Sequence, residues 1–256
     1  MAQAAGDVDY ARHGTNYAGH RRTDPRIAAL VATALGDAHS VLNVGAGAGS
    51  YEPKDRTVVA LEPSPAMITQ RPAGRAPVVR AVAEALPFGD ATFGASMATV
   101  TVHQWPDPVA GLAEMRRVTE GPVVVVTFDR EALDRLWLME YAPELGATEA
   151  TRYPDVATIA ELLGPDSKTV EVPIPLDCVD GFTEAFYGRP EAFLDPSVRG
   201  SQSAWTFLEP GIEQRVVASL ADDLTSGQWD ERFGHLRTQP WFVGAVRLIT
   251  GGGRHP

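Results

Sequence analysis

Short apolar runs recur at regular intervals through the first half of the chain. Most are rich in valine or alanine and show no polar alternation, which is the pattern of strands buried on both faces. We expect five such strands, at residues 40–45, 57–62, 76–82, 91–102 and 121–129.

Amphipathic segments lie before and between these runs. Ser64 and Asp107 are each followed by proline, a typical helix start, because the side chain caps the first turn and proline fits the first helical position. A similar helix is expected from Asp24 to Leu35 and should stop at Gly36. Strands that alternate with helices predict an α/β fold with a doubly wound sheet.

The second half of the chain has a looser pattern. Residues 131–146 and 156–164 look helical, and 167–176 and 241–251 look like a sixth and a seventh strand. The sheet is therefore expected to be seven-stranded and mostly parallel. The segment between the last two strands is too long for an ordinary loop, so we expect a helical lid there. We predict one domain over 1–256, with N-terminal cap helices at 1–39, a cofactor-binding core at 40–176, the lid insertion at 177–240 and the last strand at 241–250.

Composition narrows the class of protein. The chain has 256 residues and a formal net charge of -11, which disfavours a nucleic-acid partner. Its single cysteine, Cys178, excludes an intrachain disulfide and disfavours a cysteine-based zinc site, and no metal is expected. We see no signal peptide and no apolar run that could cross a bilayer, so we expect a soluble, cytoplasmic protein that is a monomer or a homodimer.

A glycine-rich turn follows the first strand, in the stretch VLNVGAGAGSYEP that begins at Val41. Gly45, Gly47 and Gly49 alternate with small residues. A phosphate-binding P-loop would need a lysine after the glycines, and a dinucleotide fingerprint would place its third glycine one position later. A tight turn without any ligand stays open as an alternative.

The second strand ends in an acidic residue, Glu62. In doubly wound folds a carboxylate at this place faces the first loop and can accept hydrogen bonds from a ribose diol. The segment between Gly47 and Glu62 is short and contains Pro53, which leaves little room for a full helix. That favours a ligand without a pyrophosphate, although Glu62 can also be a solvated carboxylate that caps the next helix.

Four segments, VLNVGAGAGSYE, VVALEPSPAMI, AVAEALPFGDATFGAS and VTVHQWPDPVAGLAEMRRV, together resemble class I S-adenosylmethionine-dependent methyltransferases of the UbiE-like small-molecule group. The resemblance covers about residues 10 to 130. It implies a Rossmann-like methyltransferase fold, S-adenosyl-L-methionine as cofactor and S-adenosyl-L-homocysteine as product. The cofactor-binding residues that it implies are Tyr17, Asn43, Gly45, Ala46, Gly47, Glu62, Pro63, Met67, Ala83, Glu84, Ala98, Thr99 and Val100.

Two positions depart from the family pattern. The family often has an acidic residue where this chain has Asn43, and an aspartate where it has Val82. The first change removes a charge that would pair with the ammonium group of the cofactor. The second removes a hydrogen-bond partner of the adenine. Both bear on cofactor affinity more than on the fold.

His103 is the leading candidate for a catalytic base. It follows the fourth strand, at the sheet edge where open α/β folds bind ligands, and its ordinary pKa of about 6.5 suits proton transfer near neutral pH. A structural histidine bonded to its own loop is the alternative. The candidate substrate-binding residues are Tyr10, Trp105, Phe182, Phe186 and Trp205. Trp105 can instead anchor the next helix, and the lid aromatics can instead form a small lid core.

We therefore expect methyl transfer to a small organic molecule by in-line displacement, in secondary metabolism. Two rivals stay open: a repurposed or non-catalytic S-adenosylmethionine-binding protein, and an NAD-dependent oxidoreductase. The early third glycine of the loop argues against the second rival. A nucleic-acid methyltransferase is the least favoured, given the acidic balance of the chain.

Overall fold

The computed structural model describes residues 21–252. Its strands are β1 (Ser40–Val44), β2 (Thr57–Leu61), β3 (Val78–Val79), β4 (Ala95–Thr99), β5 (Pro122–Phe128), β6 (Lys168–Glu171), β7 (Ile174–Pro175), β8 (Trp241–Phe242) and β9 (Val246–Gly252). Its α-helices are α1 (Pro25–Ala34), α2 (Pro65–Thr69), α3 (Pro108–Val118), α4 (Leu138–Tyr141), α5 (Pro143–Arg152), α6 (Val156–Leu163), α7 (Pro196–Gly200), α8 (Ile212–Ser226) and α9 (Gln228–Phe233).

Seven strands form one twisted sheet in the order β3-β2-β1-β4-β5-β9-β6. The pairs among β1 to β5 are parallel, and β9 runs antiparallel between β5 and β6. The order reverses between β1 and β4, so the loops after these two strands border the crevice where such sheets bind ligands. The predicted seven-stranded, mostly parallel α/β fold is confirmed.

The two predicted strands of the second half are each interrupted. Residues 167–176 divide into β6 in the main sheet and β7, which pairs with β8 in a separate two-stranded sheet. Pro173 stands between β6 and β7 and has no N–H to offer to a ladder, which accounts for the break. Residues 241–251 divide likewise into β8 and β9, with Gly244 between them. The prediction of two continuous strands was wrong.

The predicted helix starts are confirmed. The side chain of Asp24 accepts a hydrogen bond from the backbone N–H of Arg26 at 2.9 Å, and Asp107 caps α3 through the N–H of Ala110 at 3.0 Å. Ser64 caps α2 in the same way. None of the helices in the described range is long and apolar enough to span a membrane.

Alternate residues of the strands bury opposite faces of the sheet. Val124 and Val126 point toward the core that contains α1, while Val123 and Val125 point toward the core that contains α3 and α6. A third cluster, the lid core, lies apart from both. It draws on residues 186–242, within and just beyond the predicted lid, and also on residues 136–145, which the apolar pattern did not assign to the lid.

Trp229 lies at the centre of the lid core with no exposed surface, and its ring centroid is 5.3 Å from that of Trp137. Replacing Trp229 with alanine removes a fully buried indole. We expect Trp229→Ala to lower the free energy of unfolding by about 3–5 kcal/mol in denaturant titrations. Trp241 is 46% exposed and is the matched control. Trp241→Ala should cost less than about 1 kcal/mol, and equal losses would contradict the assignment of Trp229 to the lid core.

Candidate functional site

The loop after β1 is held tightly against the end of β2. The backbone N–H groups of Gly45 and Ala46 both donate to the carbonyl of Leu61 at 2.9 Å. Gly45 and Gly47 have φ angles of 68° and 50°, which glycine adopts without strain. A Cβ atom at Gly45 would lie 2.2 Å from the Thr101 hydroxyl oxygen, so the close approach of these two loops requires glycine.

Glu62 is buried behind this loop. One carboxylate oxygen accepts the N–H of Gly47 at 2.8 Å, and the other accepts the N–H of Ser64 at 2.9 Å. Burial raises the pKa of Glu62, while the two backbone donors oppose that shift. Each carboxylate oxygen can still accept a second hydrogen bond. The carboxylate is therefore positioned to bind a ligand that offers two hydroxyl groups.

Two cavities meet at Glu62. The first is called here the loop cavity and the second the edge cavity. The loop cavity is lined by Arg21, Gly45, Ala46, Gly47, Ala48, Ser50, Tyr51, Glu62, Met67, Thr99, Val100, Thr101 and Gln104. The edge cavity is lined by Gly45, Leu61, Glu62, Pro63, Val82, Ala83, Glu84, Thr101, Gln104, Trp105 and Pro106. Their shared residues make them one elongated groove along the carboxyl ends of the strands.

A buried ion pair supports the glycine loop from below. Arg71 donates to the Glu52 carboxylate at 2.8 Å and to the carbonyl of Gly47 at 3.1 Å. The amide nitrogen of Asn43 donates to the same Glu52 oxygen at 3.2 Å. Asn43 is thus part of the support and does not line either cavity. The carboxylate next to position 43 is therefore that of Glu52, whereas the family often has an acidic residue at position 43 itself.

A second ion pair ties the lid segment to the glycine loop. The buried carboxylate of Asp180 accepts hydrogen bonds from the Tyr51 hydroxyl and from the Arg21 guanidinium, both at 2.7 Å. Burial, followed by the charge of Asp180, raises the pKa of Tyr51 far above its ordinary range. Tyr51 therefore stays a neutral donor, and the three side chains form a clasp between the lid and the loop.

A third cavity, called the lid cavity, lies between the lid and the sheet. It shares Arg21, Val100 and Gln104 with the loop cavity. Its walls combine aromatic and aliphatic side chains with about as many polar ones. It is lined by Arg21, Val100, His103, Gln104, Phe128, Leu133, Leu136, Met139, Leu145, Glu149, Tyr153, Phe182, Thr183, Glu184, Gln202, Ser203 and Ala204.

His103 lies in the wall of the lid cavity. Its ring centroid is 4.5 Å from that of Tyr153, and its Nε2 atom is 3.4 Å from the side-chain nitrogen of Gln104. Burial, with the positive charges of Arg152 and Arg21, lowers the pKa of His103 well below its ordinary value. The imidazole is therefore neutral near pH 7, and the lone pair of its Nε2 atom faces the side-chain nitrogen of Gln104.

Glu184 also lines the lid cavity, although the sequence did not predict it as a site residue. Burial raises its pKa to about 7, against the opposing influence of the backbone N–H groups of Ala245 and Val246, of which that of Ala245 donates to Oε1 at 2.6 Å. The available signal was an acidic residue inside an aromatic segment, FTEAFYG, but the same signal marks many surface turns. Gln202 and Tyr153 were missed as well.

The structure brings together most of the predicted site residues. Those in the walls of the groove are Gly45, Ala46, Gly47, Glu62, Pro63, Met67, Ala83, Glu84, Thr99, Val100 and Trp105. His103 and Phe182 line the lid cavity. Ala98 lies instead in the sheet core, and Phe186 and Trp205 lie in the lid core, outside the lid cavity, because their rings complete the packing there. Tyr10 and Tyr17 lie outside the described residues.

Trp105 both anchors α3 and lines the groove, which are the two roles that its sequence context allowed. Its ring lies against Gly111 of α3, where a Cβ atom would come within 2.5 Å of the indole, and its other surface lines the edge cavity. Within residues 21–252, no group of three or more histidine, cysteine or acidic side chains could hold a metal ion.

Comparison with known proteins finds a likeness in the segment that carries the groove. Residues 42–125 match the family model of the methyltransferase domain. The match covers about a third of the chain, and this segment is similar to that family. The match spans the glycine loop, Glu62 and His103. No curated protein matches the sequence.

Solved structures of the methyltransferase fold extend the likeness beyond this segment. A candidate methyltransferase from an antibiotic biosynthesis pathway of Anabaena variabilis is 24% identical, with a TM-score of 0.84 over 91% of this chain and 98% of that chain. Geranyl diphosphate C-methyltransferase of Streptomyces coelicolor A3(2) is 14% identical, with a TM-score of 0.51 over 89% and 77%. The [4+2]-cyclase SpnF is also 14% identical, with a TM-score of 0.51 over 94% and 92%. At these identities the likeness is one of fold.

The close approach of Gly45 to Thr101 can be tested with a substitution at Gly45. Gly45→Ala adds a Cβ atom that the Thr101 side chain cannot avoid without moving the loop. Gly74 is the matched control, since its φ of 83° is equally left-handed and a Cβ atom added there would meet nothing within 4 Å. Both variants carry the backbone strain, and only Gly45→Ala also carries the clash. We expect it to be about 1–3 kcal/mol less stable than Gly74→Ala in denaturant unfolding. Equal stability would mean that the two loops can separate freely.

Proposed function

We propose that this protein transfers a methyl group from S-adenosyl-L-methionine to a small organic molecule. The observation that carries the proposal is the shared wall between the loop cavity and the lid cavity, formed by Arg21, Val100 and Gln104. A donor in the first cavity and an acceptor in the second would meet at this wall.

The groove fits the cofactor in shape and in polarity. The backbone of Gly45 to Gly47 would lie along the methionine part, and Glu62 would accept hydrogen bonds from the two ribose hydroxyls. The edge cavity would hold the adenine between Pro63, Ala83 and Trp105. Val82 is 42% exposed there, so its side chain offers contact area and no hydrogen bond.

When bound, S-adenosylmethionine supplies a methyl group that is already activated by the sulfonium charge. The work left to the chain is to align the acceptor and to exclude water. Alignment alone can contribute about 7–11 kcal/mol. The apolar side chains of Phe128, Leu133 and Phe182 line the lid cavity and would exclude water from it.

If the atom that receives the methyl group must lose a proton, His103 is the proposed base. Its neutral imidazole lines the lid cavity beside Gln104, one of the residues shared with the loop cavity. The lowered pKa keeps the imidazole unprotonated at neutral pH, although it also weakens the base.

The likeness to the Anabaena protein supports the expected place in secondary metabolism. The likeness to SpnF favours one second candidate, since that cyclase shares the fold and is described by another reaction. A repurposed cofactor-binding protein would keep the groove and would use the lid cavity for a different conversion. A cytoplasmic location and a monomeric or homodimeric state stay predictions.

Calorimetric titration with S-adenosylmethionine, S-adenosylhomocysteine and NADH tests the cofactor. We expect the first two to bind and NADH not to bind. Glu62→Ala should weaken S-adenosylhomocysteine by at least about tenfold, because two charge-assisted hydrogen bonds, each of about 1.5–3 kcal/mol, are lost. Glu171, an exposed carboxylate far along the sheet, is the control, and Glu171→Ala should bind normally. Binding of NADH alone would support the oxidoreductase and overturn the proposal.

The role of His103 is tested with the first acceptor that supports formation of S-adenosylhomocysteine. We expect His103→Ala to lower kcat by about 10²–10⁴-fold, the usual contribution of a general base. The Kd for S-adenosylhomocysteine should stay within about twofold, because His103 does not line the loop cavity. The exposed His39 is the control. Unchanged turnover in His103→Ala would remove this residue from the mechanism.

A further inference from the structure

Three buried polar atoms on the walls of the lid cavity have no hydrogen-bond partner among the described residues. They are the second carboxylate oxygen (Oε2) of Glu184, the side-chain nitrogen (Nε2) of Gln202 and the Nδ1 atom of His103. An unsatisfied buried polar group costs about 1–3 kcal/mol. Their occurrence on three residues that line one cavity indicates that a ligand completes them.

The orientation of the Gln202 amide is settled by its neighbours. Its oxygen accepts hydrogen bonds from the Thr183 hydroxyl at 2.9 Å and from the indole N–H of Trp205 at 3.2 Å. Indole N–H can only donate, so this atom of Gln202 must be the oxygen. The unpaired atom is therefore an NH₂ group, which needs an acceptor.

Glu184 presents the opposite requirement. One of its oxygens accepts the backbone N–H of Ala245 at 2.6 Å, and the other has no partner. The absence of a side chain at Gly244 permits this position, since a Cβ atom there would lie 2.3 Å from the bonded oxygen. When the carboxyl is ionised, the free oxygen needs a donor.

The charges around the cavity leave Glu184 without a direct counter-ion in the described range. Arg21 is bonded to Asp180, and the other wall carboxylate, Glu149, pairs with Arg152 at 2.8 Å. Arg247 and Arg135 act on Glu184 only at a distance. Arg247 pairs with Asp129, and Arg135 with Glu171. A ligand donor would thus be the direct partner of this carboxylate.

Glu184 and Gln202 are neighbours on the wall. Thr183, which precedes Glu184, donates directly to the Gln202 oxygen. The free acceptor and the free donor therefore belong to neighbouring parts of a cavity whose lining also includes the aromatic side chains of Phe128 and Tyr153.

We propose that Glu184 and Gln202 form the recognition subsite for the methyl acceptor, and that it takes a compact aromatic carbonyl compound bearing a hydroxyl or N–H group. The ring would lie among the aromatic walls, the hydroxyl or N–H would donate to Glu184, and the carbonyl would accept from Gln202. This assignment rests on the proposed function, since it names the acceptor class of that same site.

The probes are the three hydroxybenzamide isomers, because each isomer sets a different distance between the hydroxyl group and the carbonyl group. Methoxybenzamides keep the carbonyl and lose the donor, while hydroxytoluenes keep the donor and lose the carbonyl. Dissociation constants are measured by NMR titration in the presence of S-adenosylhomocysteine. We expect one hydroxybenzamide to bind at least about tenfold more tightly than both of its counterparts.

Two variants test the contacts separately. Glu184→Gln should abolish the preference for hydroxyl over methoxy, and Gln202→Met should abolish the preference for carboxamide over methyl. Glu171→Gln is the control, since it removes a carboxylate that pairs with Arg135 and lies outside the cavity. It should keep both preferences. Because each variant removes a different contact, misfolding of one leaves the other decisive.

A pH series distinguishes recognition from a structural role. Burial raises the pKa of Glu184 to about 7, so the carboxylate that accepts a donor forms between pH 6 and pH 8. The pKa of His103 is lowered and that of Tyr153 is raised, both by burial, so these wall groups do not titrate in that range. Glu149 is held in its ion pair with Arg152, and the arginines stay charged. The hydroxyl preference should rise with pH in the wild type and stay flat in Glu184→Gln.

The outcomes separate the two proposals. S-adenosylhomocysteine binding with no hydroxyl or carboxamide preference, or with no probe bound, overturns the subsite alone. A preference that survives both Glu184→Gln and Gln202→Met also overturns it. Loss of both preferences in the matching variants supports it, and failure to bind S-adenosylhomocysteine counts against the proposed function.

Discussion

The hydrogen bond from the backbone N–H of Gly47 to the Glu62 carboxylate joins the ends of β1 and β2. With the two N–H groups that Leu61 accepts, it fixes the curve of the glycine loop, and that curve forms the wall of the loop cavity. Glu62 faces both parts of the groove from this position. One buried carboxylate therefore shapes the loop and still offers lone pairs to a ligand, which a purely structural cap would not need.

The Asp180 clasp carries this geometry into the lid. Asp180 is bonded to Tyr51 at the end of the glycine loop, and Phe182 and Glu184 follow it closely in the chain. The lid residues that line the lid cavity are thus placed relative to the glycine loop by a short, buried connection. Arg21, the other member of the clasp, lines both cavities, so a change in the clasp reaches the two sites together.

Local signals account for the part of the molecule that the sequence predicts. Valine-rich runs, capping side chains followed by proline, and the glycine loop each act within a few residues. The strands, the helix starts and the glycine-loop part of the groove can therefore be predicted from the sequence. The recognition subsite depends on distant partners: Glu184 needs the N–H of Ala245 and the bare backbone of Gly244, and Gln202 needs the indole of Trp205. The periodic pattern of apolar residues does not predict those contacts. The same holds for Glu52, which lies beside Asn43 only once the loop has folded.

Val100 lines both the loop cavity and the lid cavity in a conformation that a branched side chain rarely adopts, with φ at 52°. Such a residue costs about 1–3 kcal/mol and persists only where its surroundings enforce it. Here its N–H is fixed to the carbonyl of Val126 at 2.7 Å, and the next residue, Thr101, is packed against Gly45. The wall between the two cavities is therefore held rigidly on both sides. In the proposed reaction a methyl group would pass this wall by direct displacement over a short distance, and a boundary fixed on both sides would suit that step better than a relaxed one.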